Sequence, residues 1–465
     1  MDNNNYRGSV AKILGMTDTG EKIPAAAGRI STQEGNAFDI FDKSQDAEKN
    51  AKLIAKVTRS GHNSTIEHTV FNIAFKDVSV FVEQFMIEFR LASFTVKSRR
   101  YVNFGDCGYY VPFLKNKQLE ERYTQVMDYL FDEYNSFIQA GIPKEDARFL
   151  LPYCLRSNFF CTINARELLY VLRSMLFGRG SEFKELYDLG TQLYQQIEEL
   201  VPGICTDFYK RTPENSDKIA LGYMFNNYKN DSDNDSTGEK VQLISCSADA
   251  EKSVARSALI WTRQYAPNTV EKIIEDDSNV EKIIDCVTSS TRPRPLETIN
   301  YTFRLNGVSL STITHFARHR MHGLMVPFLT LTDRTKYIVP NTVKSDKTLL
   351  DRYNIAFAKM KELYDYLKNE GCSEEELVYC QMSGNTLDIV SSMNGRELLL
   401  FMKLRTCNRA QWEIREYAIE MLRQLREQAP AIFSKYGPSC YVSSCPEGAL
   451  SCGKAVEVKE YFKNL

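Results

Sequence analysis

Histidine is scarce in this chain, with five in 465 residues. An excess of either charge is lacking too: 58 Lys and Arg stand against 60 Asp and Glu, a formal net charge of −2. That balance says nothing in favour of a nucleic acid polymer as a bulk partner, and none is expected; any basic patch must be local and aimed at something small. No apolar run approaches the roughly 18 residues a bilayer-spanning helix needs, so no membrane is expected. No secretory signal is expected, and the twelve cysteines then read as reduced thiols of a cytoplasmic protein. A glycine-rich dinucleotide fingerprint is also missing, which excludes a Rossmann-type grip on a cofactor. The 43% of hydrophobic residues supplies core for two domains of ordinary size.

The few histidines are not scattered. His62 and His68 lie in "GHNSTIEHTVFNIAF", and His315, His319 and His322 lie in "THFARHRMHGLMVP". A solvated charge cluster is the common fate of a run such as Arg318-His319-Arg320. Histidine used as surface filler, however, would not concentrate in two windows.

An internal repeat links the windows. Glu67 and Glu297 stand 230 positions apart, and the same offset pairs Val78-Ser79 with Val308-Ser309 and Arg90 with Arg320. It returns far downstream, where "TINARELL" and "SMNGRELLL" pair Asn164 with Asn394, Arg166 with Arg396 and Glu167 with Glu397. The chain reads as a tandem duplication: copy 1 over 1–225, a polar, turn-rich linker over 226–240, and copy 2 over 241–465. Each copy has the same coarse order. "VAKILGM" and "VQLISCS" open them as strands, "TVFNIAF" and "TINYTFRL" alternate as half-buried strands do, and a long helical half follows. In copy 2 that half includes Trp412, Tyr417, Met421, Leu422 and Leu425 at helical spacing. Asn164 and Asn394, each three residues before a glutamate, read as helix N-caps, either as caps only or with a second role. The fold class is α+β, each copy a mixed sheet with packed helices.

"GHNSTIEH" resembles the Gly-His-x-Ser-Pro-x-Glu-His stretch of the flavin-dependent thymidylate synthases. "RHR" resembles the start of that family's signature, three basic residues followed after seven more by serine. "AGIPKEDARFLLP", "NARELL", "NGRELLLFMKLRTCNRAQWEIREYA" and the tail "GPSCYVSSCPEGALSCGK" are similar to further family segments, in order in each copy. Members normally carry one copy and form a tetramer with active sites at subunit interfaces. The resemblance therefore implies a homodimer of duplicated chains, a pseudo-tetramer.

Neither copy is complete. Copy 1 keeps Ser93, Ser98, Arg100 and Tyr101 in "ASFTVKSRRY" but has Glu88-Phe89-Arg90 in place of RHR. Copy 2 keeps Arg318-His319-Arg320, but Phe328 takes the serine position and a strand is expected to return only at "DRTKYIVP". Copy 1 keeps the family's nucleotide arginine as Arg148, against Val378; copy 2 keeps a late arginine as Arg405, against Met175. In the family one subunit supplies RHR and the late arginine while a neighbour supplies the serine loop and the earlier arginine. The losses follow that division, so the resemblance implies one composite site.

At that site Ser98, Arg100 and Arg148 would cradle the phosphate of dUMP, because a guanidinium fork suits a dianion. Arg405 would stabilise charge on the pyrimidine and so act catalytically, with His315 and Arg318 also against the nucleotide. Arg318, His319, Arg320, Asn394 and Arg396 would contact FAD, and His62 and Ser64 match flavin and folate contacts. If 396–405 form one helix, Arg396 and Arg405 point to opposite faces. Methylenetetrahydrofolate and NADPH are the implied co-substrates. Departures from the family stand at His315 (usually glutamine), Val96 (commonly acidic), and Tyr170 and Leu400 (a polar flavin contact). They leave open another pyrimidine nucleotide as substrate, or an inactive nucleotide-binding protein. Cys440, Cys445 and Cys452 lack the tighter spacing and fourth ligand of a metal site, and no metal is expected.

Overall fold

Alternating side chains build the central strand of each sheet. In strand β2 (Val70–Ser79) Phe71, Ile73 and Phe75 are buried, and Tyr301, Phe303 and Leu305 repeat this in β6 (Asn300–Ser309), since residues two apart share a face. Both strands then bulge, between Phe75 and Val78 and between Leu305 and Val308. Each bulge turns on a left-handed residue, Asp77 at φ 54° and Gly307 at φ 67°. Glycine meets that conformation without cost. At Asp77 the backbone N–H is held by the Asn158 side chain at 3.1 Å; at Gly307 the Asp388 carboxylate does the same at 2.9 Å.

This is a computed structural model, and it describes residues 8–211, 217 and 238–465. Of the expected linker, residues 226–237 lie outside the described residues. The remaining strands are β1 (Val10–Met16), β3 (Ala92–Val96), β4 (Arg156–Asn164), β5 (Val241–Cys246), β7 (His322–Met325) and β8 (Thr386–Asn394). The sheets run β1-β2-β4-β3 and β5-β6-β8-β7. Their registers repeat at the sequence offset: Val70 faces Asn164 as Asn300 faces Asn394, and Ala92 faces Ile163 as His322 faces Met393. The duplication is thus a duplication of structure. Every pairing is antiparallel, where a mixed sheet was expected. β2 and β3 do run the same way, but β4 lies between them, so among the described residues no parallel pair hydrogen-bonds.

The strand expected at "DRTKYIVP" is a second correction. The edge strand β7 follows directly on Arg320, where His322 is buried with Nε2 2.9 Å from Ser391 Oγ. Tyr337 makes only a single bridge, to Asn385. Arg334 is buried and donates to the Thr332 carbonyl at 2.6 Å, which curls that segment into a turn.

Compact units and sequence copies differ. One unit holds the chain to 230 together with 339–384; the other holds 231–338 and 385–465. In the first unit a 23-residue helix, α1 (Lys117–Gln139), packs on its repeat equivalent, α2 (Lys347–Asn369). Tyr123, Leu130 and Phe137 lie on the buried stripe of the first, and Tyr353, Phe357 and Met360 on that of the second. Such stripes need a partner to leave water. Beside them the 381–384 strip of copy 2 zips to copy 1: Tyr153 N–H donates to Gln381 O at 2.9 Å, Ser383 N–H to Leu151 O at 2.9 Å, and Gly384 N–H to Phe149 O at 3.0 Å. A Cβ on Gly384 would stand 2.9 Å from the Phe357 ring, so the strip needs glycine there.

Candidate functional site

In the first unit the serine loop follows β3. A buried ion pair anchors it: Arg99 donates to both carboxylate oxygens of Glu83, at 2.7 and 2.9 Å, and Ser157 donates to the same carboxylate. A bidentate pair of this kind fixes direction as well as position. Ser98 Oγ accepts the Arg100 N–H at 3.3 Å, and the Arg100 guanidinium pairs with the Glu145 carboxylate. Arg148, 3% exposed, donates from Nε to the Glu145 carbonyl at 3.0 Å. The two arginines read from the sequence as a phosphate cradle therefore meet at one residue, Glu145, whose carboxylate holds an anion's place on Arg100. His62 and Ser64 are exposed near the start of the turn Asn63–His68, which Arg166 ties to Glu67 at 2.6 Å.

In the second unit the helix α3 (Leu310–Phe316) leads into the Arg318–Arg320 turn, and the helix α4 (Gly395–Arg405) leaves β8. Since His322 faces Met393 across the ladder, the register brings this turn to the start of α4. Asn394 caps α4, accepting from Glu397 N–H at 2.8 Å. The Glu397 side chain does not reach back to the cap; its Oε1 lies 2.9 Å from Nδ1 of His319. Arg405 Nε lies 2.9 Å from the other ring nitrogen, and its Nη2 lies 3.3 Å from the His315 carbonyl. A guanidinium can only donate. Nε2 of His319 is therefore the acceptor, and Nδ1 carries the hydrogen and donates to Glu397. His319 is 3% exposed, so this neutral ring acts by orienting Arg405 from inside the protein.

α4 is unbroken, and its two arginines diverge. Arg396 pairs with Glu297 at 2.5 Å, while Arg405 lies at the far end on His319. That hydrogen bond from Arg396, then those from Arg294, hold the Glu297 carboxyl below its ordinary range. Arg318 and Arg320 are exposed on the turn and His315 is buried in α3. Three exposed guanidiniums around one end of the sheet are a donor set that fits the phosphates of a nucleotide cofactor.

The repeat equivalents complete the picture. Where copy 2 has His319 and Arg405, copy 1 has Phe89 and Met175, both buried, with Phe89 edge-on to Phe85 at 5.3 Å. Where copy 1 has Glu83 and Arg99, copy 2 has Ile313 and Leu329, also buried. Each copy keeps one polar set, buried at Glu83 and Arg99 in copy 1 and at His319 in copy 2, and has apolar packing in place of the other.

Sequence reading missed Glu83, Arg99, Glu145 and Glu397 as site residues. The signal for Glu397 was its repeat at Glu167 three residues after the cap, which was read as a capping pattern only. The tail thiols Cys440, Cys445 and Cys452 are partly buried with Cys407 nearby, and burial raises the Cys440 thiol above its ordinary value. Among the described residues no helix is long and apolar enough to cross a membrane.

The model of a family described as thymidylate synthase complementing protein matches residues 12–203 and again 242–431. A flavin-dependent thymidylate synthase of Clostridium tetani is 32% identical over 245 residues, covering 48% of this chain and 97% of its own length. One of Geobacter sulfurreducens is 32% identical over 232 residues, covering 49% of this chain and 99% of its own. A solved UMP/dUMP methylase from Streptomyces cacaoi, bound with 5-Br dUMP, is 21% identical with a TM-score of 0.39, covering 44% of this chain and 97% of that one.

Proposed function

Because this chain belongs to the thymidylate synthase complementing protein family and carries its domain twice, we propose that it is a flavin-dependent thymidylate synthase that makes dTMP from dUMP at one composite site. FAD, when bound, supplies the hydride that completes the methyl group, with NADPH as reductant and methylenetetrahydrofolate as carbon donor. Copy 1 binds the nucleotide. Its phosphate dianion replaces the Glu145 carboxylate on Arg100 and is held also by Arg148 and Ser98, in a loop that the Glu83–Arg99 pair keeps in place. Copy 2 supplies Arg405, which stabilises the anion formed as the pyrimidine ring gives up its N3 proton. Its plane is set by His319 and Glu397. Arg318, Arg320 and Arg396, with Asn394, face the cofactor's phosphates and ring, and His62 and Ser64 face flavin and folate.

The reciprocal exchange of polar pairs for buried apolar pairs carries this reading. Decay of an idle protein has no reason to spare complementary halves. The site takes two chains' worth of copies in a homodimer, each copy standing for one subunit of a four-part core. Turnover of dUMP by the FAD-loaded protein, assayed against dCMP and UMP, tests the function. A second reading, the same chemistry on another pyrimidine nucleotide, rests on His315, buried in α3 with its carbonyl on Arg405. It predicts product from one of those alternatives and none from dUMP. No turnover with any of them contradicts both.

A further inference from the structure

Copy 2 carries a cavity of about 850 Å3 that none of the residues assigned above lines. It lies among the helices α5 (Ala250–Arg263) and α6 (Asp277–Ser289) and the turn at Arg292–Pro295. Arg294 in that turn is directed elsewhere, to Glu297 at 3.3 Å. Arg263, Lys282 and Arg292 line the cavity and no acidic residue does. Among the described residues none of these three cations forms an ion pair, although Arg256, Arg304 and Arg396 of the same unit all do. Trp261 and Tyr265 expose 55% and 41% of their surface there.

Apart from Lys282, whose counterpart is Lys52, the set is particular to copy 2. At the repeat offset, Trp261, Arg263, Tyr265 and Arg292 correspond to Ser31, Gln33, Gly35 and His62. The equivalent helix in copy 1 ends at Ile30, whereas α5 runs on to Arg263. The extension therefore carries both a ring and a cation to the rim.

We propose that this cavity is a second ligand site, one that takes a planar aromatic anion of nucleotide size. Two exposed rings offer stacking faces, and two unpaired guanidiniums with one ammonium offer charge-assisted hydrogen bonds to phosphate or carboxylate. The volume lies within the range of small-molecule sites, about 300 to 1,000 Å3.

Cys286 lines the cavity and is exposed, while the exposed Cys246 lies outside it and serves as a control. The test is the rate of iodoacetamide labelling at each thiol, read by peptide mass spectrometry on the full chain. Probes are dTTP as an aromatic phosphate, p-aminobenzoylglutamate as an aromatic carboxylate, and thymidine as an uncharged ring. Slower labelling of Cys286 alone with dTTP or with p-aminobenzoylglutamate, and not with thymidine, is expected, and the probe that protects identifies the anion. The double variant Arg263→Ala/Arg292→Ala should weaken that protection about tenfold or more, as loss of one charge-assisted hydrogen bond does. Arg148→Ala should leave it intact, which separates this cavity from the nucleotide site. Equal protection by thymidine, no protection by any probe, or shielding of Cys286 that grows with protein concentration would overturn the proposal, the last by showing a second copy as the occupant.

Discussion

Arg405 donates to Nε2 of His319 at 2.9 Å, and the opposite nitrogen of that ring meets Glu397 at 2.9 Å. The arginine proposed to act on developing charge is thus oriented by a buried polar chain whose copy 1 counterpart keeps only the glutamate, Glu167, beside Phe89 and Met175.

Arg405 and Arg148 separate the roles most sharply. Arg405→Ala should lower kcat roughly 10²- to 10³-fold while nucleotide still binds, the size of losing one preorganised donor. Arg148→Ala should mainly weaken nucleotide binding, by about 1.5 to 3 kcal/mol for a charge-assisted hydrogen bond. Steady-state kinetics and nucleotide titration decide; a kcat loss in Arg148→Ala without weaker binding contradicts the assignment.

His319 is a positioning residue, so its conservative variant matters. His319→Phe, which installs the copy 1 residue, should cut kcat with little change in KM. His319→Gln can still accept from Arg405 and should recover part of the loss. Equal damage by both would mean that the ring's bulk, and not its acceptor, is what counts.

The Glu83–Arg99 pair gives a reciprocal test. Arg99→Leu leaves Glu83 buried without its cation and should cost about 3 to 5 kcal/mol in urea unfolding. Glu83→Ile together with Arg99→Leu reproduces the copy 2 residues and should restore most of that stability, since an apolar pair of similar volume often replaces a buried ion pair. Nucleotide binding should stay weak in the double variant, because the serine loop has lost its anchor.

Glu297 supplies a pH test. Its lowered carboxyl pKa means that folding gains from its ionised form above the unfolded value and loses that gain as pH falls through the lowered one. In Arg396→Ala the NMR titration midpoint of Glu297 should move up toward the ordinary glutamate range. An unmoved midpoint would show that Arg396 is not what holds it down.

Much of this architecture was legible because a repeat doubles each signal. Alternation over 69–75 and 298–305 gave the central strands, and Asn164 and Asn394 do cap their helices. The edge strand β7 was missed because four residues with one buried histidine give almost no period. The pairing of the 381–384 strip with 149–153 left no local trace, since backbone hydrogen bonds between distant segments do not constrain residue type except where Gly384 admits a ring. Glu83 and Arg99 sit 16 residues apart on two elements, and only folding shows that they meet.

The central claim is that each chain keeps half of two sites and so has one working site where an intact duplication would have two. Flavin stoichiometry by isothermal titration of the apoprotein measures this directly. One FAD per chain is expected, with Arg318→Ala removing it and Glu88→Arg in copy 1 adding none. Two FAD per chain, or a second flavin gained by Glu88→Arg, would contradict it.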